Sequence, residues 1–250
     1  MVVFNTLDVE RNIVARFKET GNYAKMYQEY AVLADCVWAS TSRNDYEADL
    51  WYNHNRNEIG LEMLGDICCD KKVLAVGARH WIEGEFLESL KIKELVRTDI
   101  VPDEANNISE ANIENLPFQD ASFDMVICRE AIEHVMNEEI AYAEMKRVLR
   151  PSGYLFITTP NVFAMQPDGT IHRRGYTPVS FIRELEGHGY IIIKKRGNVP
   201  YIFNSLLPLC LSGFPEALKE FKEWDRVTKG FEERYYLSTQ LFVLCQRGDK

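Results

Sequence analysis

Short apolar runs that alternate with stretches of helical periodicity dominate the chain between residues 72 and 246. The first run, Lys72–Val76, stops at Gly77, and the second, Glu94–Thr98, stops at Asp99. Runs of this length predict buried strands, and their alternation with helices is typical of a doubly wound sheet. Ligands of such sheets bind beyond the carboxyl ends of the strands, so candidate site residues directly follow the runs. The other runs span residues 123–128, 154–159, 190–195 and 239–246.

A glycine turn after the first strand and an acid after the second form a pattern that can hold an adenosine. Gly77 lets the backbone approach a ligand, and Asp99, about twenty residues later, could accept hydrogen bonds from both ribose hydroxyls. An acid at a strand end also serves as a helix cap or a turn residue. Both interpretations of Asp99 stay open at this point.

A more specific pattern lies between Glu114 and Thr159. It reads ENLPFQDASFDMVICREAIEHV and then EMKRVLRPSGYLFITTPN. Four segments match in order and spacing, and the chain from about Val73 to Tyr190 resembles the class I S-adenosylmethionine (SAM)-dependent methyltransferases of the branch that acts on small molecules. The matching segments are Leu116–Phe118, Phe123–Asp124, Glu133–Val135 and Arg147–Gly153.

The resemblance implies SAM as the cofactor and assigns roles to residues after the strands. Asp99 would hold the ribose diol, and Asn112 stands where the family usually has an aspartate for the adenine amino group. Ile113 would pack on the adenine ring, while Cys128 and Arg129 would line the methionine end. The predicted cofactor-binding set is Gly77, Ala78, Arg79, Asp99, Ile100, Asn112, Ile113, Cys128, Arg129 and Glu130.

The first family motif is degenerate in this chain. The family normally has an acid at the position of Ala75 and glycines at the positions of Gly77, Arg79 and Trp81, and here only Gly77 is present. One interpretation is a remodelled loop that still binds SAM through its backbone and Asp99. The other is that Arg79 faces a carboxylate of SAM or of a SAM derivative, or that cofactor binding has been lost.

The catalytic candidates are His172 and Tyr176, which follow the fifth strand in a loop that resembles the family's acceptor-site loop. Imidazole titrates near neutral pH, so His172 could take a proton from an attacking hydroxyl. It could equally tie the loop to the following helix. His134 is expected to be packed against the sheet.

These residues predict methyl transfer to a hydroxyl, or next to an amine, of a small molecule such as a sugar or a secondary metabolite. The alternative function is a SAM-fold protein that no longer methylates and serves as a binding or scaffold partner. We expect a doubly wound α/β fold with a mostly parallel seven-stranded sheet, an antiparallel last strand and an N-terminal helical cap. The cap would span residues 1–66, and the SAM-binding domain 67–250 would carry an inserted lid at about 200–236.

The composition of the chain indicates which classes of partner it is expected to bind. The formal net charge of −9 disfavours nucleic acid and anionic lipid surfaces. We find no signal-peptide pattern and no apolar run long enough for a membrane span, so a cytoplasmic location is expected. Six scattered cysteines without paired spacing predict reduced thiols and no metal site. The expected partner is a small-molecule acceptor, and a homodimer stays open.

Overall fold

The computed structural model describes residues 43–79, 81–162, 174–198 and 234–249, together with the isolated positions 25, 29, 219, 223 and 226. Five helices and seven strands are found there. The helices are α1 (Arg43–Leu64), α2 (Trp81–Glu88), α3 (Glu138–Val148), α4 (Pro178–Gly187) and α5 (Arg234–Leu237). The strands are β1 (Lys72–Val76), β2 (Glu94–Asp99), β3 (Ile108–Glu110), β4 (Phe123–Arg129), β5 (Leu149–Pro160), β6 (Tyr190–Gly197) and β7 (Gln240–Arg247).

The seven strands form one sheet in the order β3-β2-β1-β4-β5-β7-β6. The first five strands pair in parallel, whereas β7 runs antiparallel to both β5 and β6. From β1, the chain adds β2 and β3 on one side of the sheet and then β4 and β5 on the other side. The direction of strand order therefore changes between β1 and β4. The predicted fold class, including the antiparallel last strand, is therefore confirmed, and the reversal marks where a ligand is expected.

Each face of the sheet carries its own apolar core. Alternate strand residues point to opposite faces, so Leu74 and Val76 pack with α3 and α4 while Val73 and Ala75 pack with α1 and α2. All four residues are at most 3 % exposed. Helices on both faces are the property that defines a doubly wound sheet.

Local features set two helix boundaries. Thr177 caps α4 through a capping box with Ser180, and Pro178 occupies its first turn, as is typical of a Thr-Pro pair. The helix α3 ends at Val148. The next residue, Leu149, pairs with Phe123 in the sheet and begins β5, so it cannot continue the helix.

The domain boundaries stay predictions. Of the predicted cap, the structure describes α1 and the single helical positions Lys25 and Glu29. Most of the predicted lid, and the loop 163–173, lie outside the described residues. In the part of the chain that is described, no helix combines the length and the apolar character needed to cross a membrane.

Candidate cofactor-binding site

Three chain segments meet at Asp99, the last residue of β2. Its Oδ2 accepts a hydrogen bond from the backbone N–H of Arg79 at 3.3 Å, and its Oδ1 accepts one from Val101 N–H at 3.0 Å. Its main-chain carbonyl accepts from Ala111 N–H at 2.8 Å. The turn after β1 and the loop after β2 thus contact the carboxylate of Asp99, and the segment after β3 contacts its main-chain carbonyl.

The Asp99 carboxylate keeps acceptor capacity after these contacts. Oδ2 accepts the hydrogen bond from Arg79 and Oδ1 the one from Val101, while an ionised carboxylate offers about four acceptor sites. Burial raises the pKa of Asp99, although the backbone N–H groups of Val101, Arg79 and Ile100 and the charge of Arg79 oppose the rise. The contacts fit the turn-residue interpretation, and the remaining lone pairs leave room for a ligand diol.

The turn after β1 depends on Gly77. Its φ is +67°, and a Cβ at this position would lie 2.6 Å from the Cβ of Ala131. The next residue, Ala78, is buried and donates its N–H to the carbonyl of Thr98 at 3.0 Å. Gly77 is therefore required by its left-handed backbone and by the close approach of the segment after β4.

Arg79 is half-buried beside the strand-end acids. Its positive charge favours the ionised forms of Asp99, at the end of β2, and of Asp103. Whether it also meets a cofactor carboxylate remains a prediction.

The three remaining residues predicted around the adenosine lie on the loops next to Asp99. Asn112 is exposed, and its Oδ1 accepts from the N–H of Glu114 at 2.9 Å, which shapes a turn. Ile113 is half-buried and packs against the core on the α3 side of the sheet. Ile100 is half-buried directly after Asp99.

The end of β4 differs from the prediction for Cys128. This side chain is fully buried in the core between the sheet and α3, and burial raises its pKa well above the usual value for a thiol. Strand alternation places it on the same face as Val126, so only its backbone faces the strand ends. The placement argues against a Cys128 side chain that lines the methionine end.

Arg129 points to the opposite face, toward α1 and α2. Its Nη1 lies 3.4 Å from Glu83 Oε2, and its Nη2 donates to Asn57 Oδ1 at 2.9 Å. The guanidinium also stacks 4.0 Å above the ring of Phe86. Burial lowers the pKa of Arg129 to about 10, which leaves it charged at neutral pH.

Glu130 connects four elements at the carboxyl end of β4. Its Oε1 accepts from Thr158 Oγ1 at 2.7 Å and lies 3.7 Å from Arg56 Nη2, and its Oε2 accepts from Gln240 Nε2 at 2.8 Å. Its φ of +52° is a conformation that side chains other than glycine adopt at a cost. Such backbone strain concentrates at functional sites.

The next carboxyl group, Glu133, is fully buried. Its Oε2 accepts from Thr159 Oγ1 at 3.3 Å, and its Oε1 has no hydrogen-bond partner within the described ranges. Burial, followed by the charge of Glu130, raises the pKa of Glu133 well above its usual value.

Of the two catalytic candidates, the structure describes only Tyr176. His172 lies outside the described residues, and its role stays a prediction. Tyr176 is fully buried beside Tyr142 and packs on Phe181 with ring centroids 5.1 Å apart. Burial raises the pKa of Tyr176 to about 12, so this placement favours a packing role. His134 is half-buried in a single 3-10 turn and lies 3.9 Å from Glu133.

Sequence reasoning did not identify four residues that contact Arg129 or Glu130: Arg56, Asn57, Glu83 and Gln240. Asn57 and Arg129 are 72 positions apart, and Gln240 and Glu130 are 110 apart. A polar residue on a helix or at a strand start gives no local signal that it will be buried in a distant contact.

One group among the described residues could gather ligand atoms for a metal ion: Glu139, Glu184 and His188, whose ligand atoms lie within 4.8 Å of one another. Glu139 is largely exposed, and Glu184 accepts a hydrogen bond from Arg174 at 3.2 Å. Surface carboxylates arranged in this way are balanced by the cationic side chains beside them, and we assign no metal to them.

Comparison with known proteins finds similarity to methyltransferases over part of the chain. Residues 84–157 match the family described as a methyltransferase domain. A probable S-adenosylmethionine-dependent methyltransferase of Mycolicibacterium smegmatis is 27% identical over 132 residues, which are 48% of this chain and 49% of the relative. The ubiquinone/menaquinone biosynthesis C-methyltransferase UbiE of Shewanella pealeana is 30% identical over 145 residues, 58% of this chain and 53% of the relative. The chain spans about half the length of these relatives.

Solved structures share the fold. The 1,6-didemethyltoxoflavin-N1-methyltransferase of Burkholderia thailandensis, solved with 1,6-didemethyltoxoflavin and S-adenosylhomocysteine, superposes with a TM-score of 0.52 at 17% identity, over 89% of this chain and 90% of that chain. The [4+2]-cyclase SpnF superposes with a TM-score of 0.52 at 14% identity, over 78% and 81%. The fold is therefore found in methyltransferases and in a cyclase.

Proposed function

We propose that the chain binds SAM at the carboxyl ends of β1, β2 and β4 and transfers the methyl group to a small molecule, as its match to a methyltransferase domain supports. The observation that carries the proposal is the convergence of three segments on Asp99. A carboxylate held at that position, with lone pairs to spare, matches the two hydroxyls of a ribose.

The residues that would surround the adenosine fit such a ligand. Asp99 would accept the ribose diol, Ile113 would cover one face of the adenine ring, and Asn112 offers an exposed amide beside it. The turn at Gly77 and Ala78 brings backbone next to Asp99 in place of the missing glycines. The interpretation that SAM still binds to a remodelled loop is the one that these contacts support.

Bound SAM supplies a methyl group already activated on a sulfonium. The protein then has to align the acceptor in line with that methyl group, exclude water and, for a hydroxyl acceptor, take up a proton. His172 remains the proposed proton acceptor, because it follows β5 in the sequence, in a segment that resembles the family's acceptor-site loop. The acceptor atom is open, since the toxoflavin enzyme is named for nitrogen and UbiE for carbon.

A second candidate is a SAM-fold protein that does not methylate. The observation that favours it is Ala75, a buried residue at the position where the family has an acid. The fold likeness to a cyclase makes the same point about the scaffold. A homodimer and a cytoplasmic location stay predictions of the sequence.

Two measurements separate these candidates. Calorimetry and thermal unfolding with SAM and with S-adenosylhomocysteine test the cofactor site, and a ligand that binds the folded chain must raise its melting temperature. Incubation with isotope-labelled SAM and metabolite pools, followed by mass spectrometry, tests for a methylated product. Binding without any labelled product across the pools would favour the non-methylating candidate, and absence of binding would exclude the cofactor site.

A further inference from the structure

The carboxylate of Glu130 is held by the two strands that lie on the opposite side of β4 from β1 and β2. Thr158 of β5 donates its hydroxyl to Oε1 at 2.7 Å, and Gln240 of β7 donates its side-chain amide to Oε2 at 2.8 Å. The sheet order puts β5 and β7 on one side of β4 and β1 and β2 on the other. Since the adenosine is proposed to lie at β1 and β2, Glu130 lies on the side that is left for the methyl acceptor.

A chain of hydrogen bonds fixes the direction in which the Gln240 amide points. Asn198 Nδ2 donates to Gln240 Oε1 at 3.0 Å, which leaves Gln240 Nε2 for Glu130. Asn198 Oδ1 accepts from the backbone N–H of Gln240 at 2.9 Å and from Thr239 Oγ1 at 2.6 Å. A backbone N–H can only donate, so the chain has a single polarity and presents a donor to Glu130. Glu130 Oε2 therefore has to accept.

The groups that orient Glu130 do not balance its charge. Thr158 and Gln240 are neutral donors, and the one ion pair of Glu130 among the described residues is a contact of 3.7 Å to Arg56 Nη2. The N···O distance of a charged hydrogen bond is about 2.7–2.9 Å, so this ion pair is loose. About a fifth of the Glu130 side chain is exposed, so a second cation can reach it.

A second carboxyl group adds to the negative potential at this edge of the sheet. Glu133 is buried, and its Oε1 has no hydrogen-bond partner within the described ranges. Burial and then the charge of Glu130 raise the pKa of Glu133. Arg174 donates its backbone N–H to the carbonyl of Glu133, but its guanidinium pairs with Glu138 and Glu184. In the described part of the chain, no Lys or Arg side chain is hydrogen-bonded to the carboxyl group of Glu130 or Glu133.

The segments predicted to cover the acceptor join the fold at the same edge. The segment that contains His172 follows Val162, just after β5, and the predicted lid follows Asn198, just after β6. Since β7 runs antiparallel to both β5 and β6, these two strands end at the same edge of the sheet. Glu130 thus lies at the edge from which both segments leave the sheet.

We propose that Glu130 binds an ammonium group of the methyl acceptor, so that the substrate is a small amine that is cationic at neutral pH. The inference rests on the proposed function and names the substrate class of its acceptor side. A carboxylate that accepts two hydrogen bonds has lone pairs left for an ammonium group, which carries three N–H donors. An ammonium group balances the charge of Glu130, whereas a neutral alcohol leaves it unbalanced. Gln240 acts through Glu130 and is a positioning residue.

Amines and alcohols of the same carbon skeleton test the substrate class on the unmodified chain. The two pairs are benzylamine with benzyl alcohol and cyclohexylamine with cyclohexanol, and the members of each pair differ mainly in charge. Calorimetry on the complex with S-adenosylhomocysteine at pH 7 should show the amines binding about tenfold to a hundredfold more tightly, as for a hydrogen bond to a charged group. Equal affinities within the pairs, or no binding of either amine, would overturn the proposal.

Variants assign the preference for amines to residues. Glu130→Gln keeps the shape of the side chain without its charge, so the amines should bind within about twofold of the alcohols while the affinity for SAM stays within about twofold of the parent. Gln240→Ala should keep part of the preference, because the charge remains but is held less firmly. A loss of SAM affinity in Glu130→Gln as large as the loss of amine affinity would place Glu130 at the cofactor and contradict the assignment.

Glu144→Gln is the matched control. The side chain of Glu144 is 18% exposed, against 21% for Glu130, and its Oε2 accepts a backbone hydrogen bond from Leu116 at 2.8 Å. It lies within α3 and not after a strand, so this variant should keep the full preference for amines. Thermal unfolding of each variant shows that the affinities are measured on folded chains.

Turnover gives an independent measurement. Methyl-labelled SAM is incubated with a pool of amines and with a pool of neutral alcohols and phenols, and the products are detected by mass spectrometry. Labelled product should form in the amine pool, and its rate should fall at least about tenfold in Glu130→Gln. Product from the neutral pool alone would overturn the substrate class while the proposed function stands. A chain that binds neither SAM nor S-adenosylhomocysteine overturns both.

Discussion

The Oδ2 atom of Asp99 accepts a hydrogen bond from the backbone N–H of Arg79 at 3.3 Å, across twenty positions of sequence. This contact joins the end of β2 to the turn after β1. The Asp99 carboxylate thus holds the turn in place and is also the group that we propose to bind the ribose. The two roles predict different results on substitution, and a matched acid elsewhere in the sheet separates them.

Asp99→Ala should abolish measurable binding of SAM and S-adenosylhomocysteine. Loss of a carboxylate that accepts from two hydroxyls should cost about 2–4 kcal/mol, or thirtyfold to a thousandfold in the dissociation constant. Asp99→Asn should be milder, because the amide keeps one acceptor. Calorimetry measures the affinity, and circular dichroism shows whether the chain stays folded.

The control for Asp99 is Asp124→Asn. Asp124 also accepts a backbone hydrogen bond, from Lys72 N–H at 2.8 Å, but it lies at the amino end of β4. This variant should lower stability and leave SAM affinity intact. If Asp99→Ala shows that same pattern, Asp99 is only a turn anchor and the cofactor site has been misplaced.

Arg79→Ala tests the residue that replaces a family glycine. If the guanidinium meets the cofactor carboxylate, SAM affinity should fall by about 1.5–3 kcal/mol, as for a charged hydrogen bond. If it serves only Asp99 and Asp103, the affinity should change little. Calorimetry with SAM and with methylthioadenosine decides, because only the carboxylate role weakens SAM selectively.

Gly77→Ala should destabilise the chain for two separable reasons. The new Cβ would meet Ala131 Cβ at 2.6 Å, and the φ of +67° is unfavourable for alanine by about 1–2 kcal/mol. The double variant Gly77→Ala with Ala131→Gly removes only the steric clash, so it should recover part of the lost melting temperature. Full recovery in thermal unfolding would contradict the backbone argument, and no recovery would contradict the contact.

Glu133→Gln should change how stability depends on pH. Burial raises the pKa of Glu133 in the folded chain, so its stabilising contribution is present below the unfolded pKa of about 4.3 and is lost as pH rises. The variant should therefore gain stability over the parent between pH 5 and 8, by up to about 1.4 kcal/mol per pH unit. Urea unfolding at four pH values measures the difference.

Glu144→Gln is the opposite control for that experiment. Hydrogen bonds from Arg147 lower the pKa of Glu144, so its contribution to stability is lost as pH falls. The difference between this variant and the parent should grow toward neutral pH with the variant less stable. A stability difference for Glu133→Gln that stays constant with pH would show that the folded chain ionises Glu133 normally.

The sequence was informative where a property is local. Apolar runs predict the main strands, because a buried strand needs only its own residues, and the Thr177–Pro178 pair predicts the start of α4. Asp99 was singled out because family motifs place an acid after β2, and its role in binding a cofactor stays a prediction. The prediction that Cys128 lines the methionine end is not supported by its buried side chain. Strand alternation decides which face of the sheet a residue takes, and a shift of one position reverses that face.

The parts that sequence reasoning could not reach depend on distant contacts. Arg56 on α1 meets Glu130 after β4, and Gln240 of β7 meets the same carboxylate. Neither Arg56 nor Gln240 belongs to a motif, and a polar residue on a helix reads as solvent-facing until the packing is known. The contacts around Glu130 therefore depend on how distant segments pack together, and no local sequence pattern predicts them.

The place of β7 in the sheet has a consequence for how the chain acquires its site during synthesis. β7 lies between β5 and β6, although it is the last of the described strands to leave the ribosome. While β7 is absent, β6 has no partner in the sheet, and the edge of β5 stays open. Glu130 likewise lacks the amide of Gln240 until that moment. A nascent chain can thus assemble the parallel half of the sheet early, but the contacts around Glu130 are completed only when β7, the last of the described strands, pairs with β5.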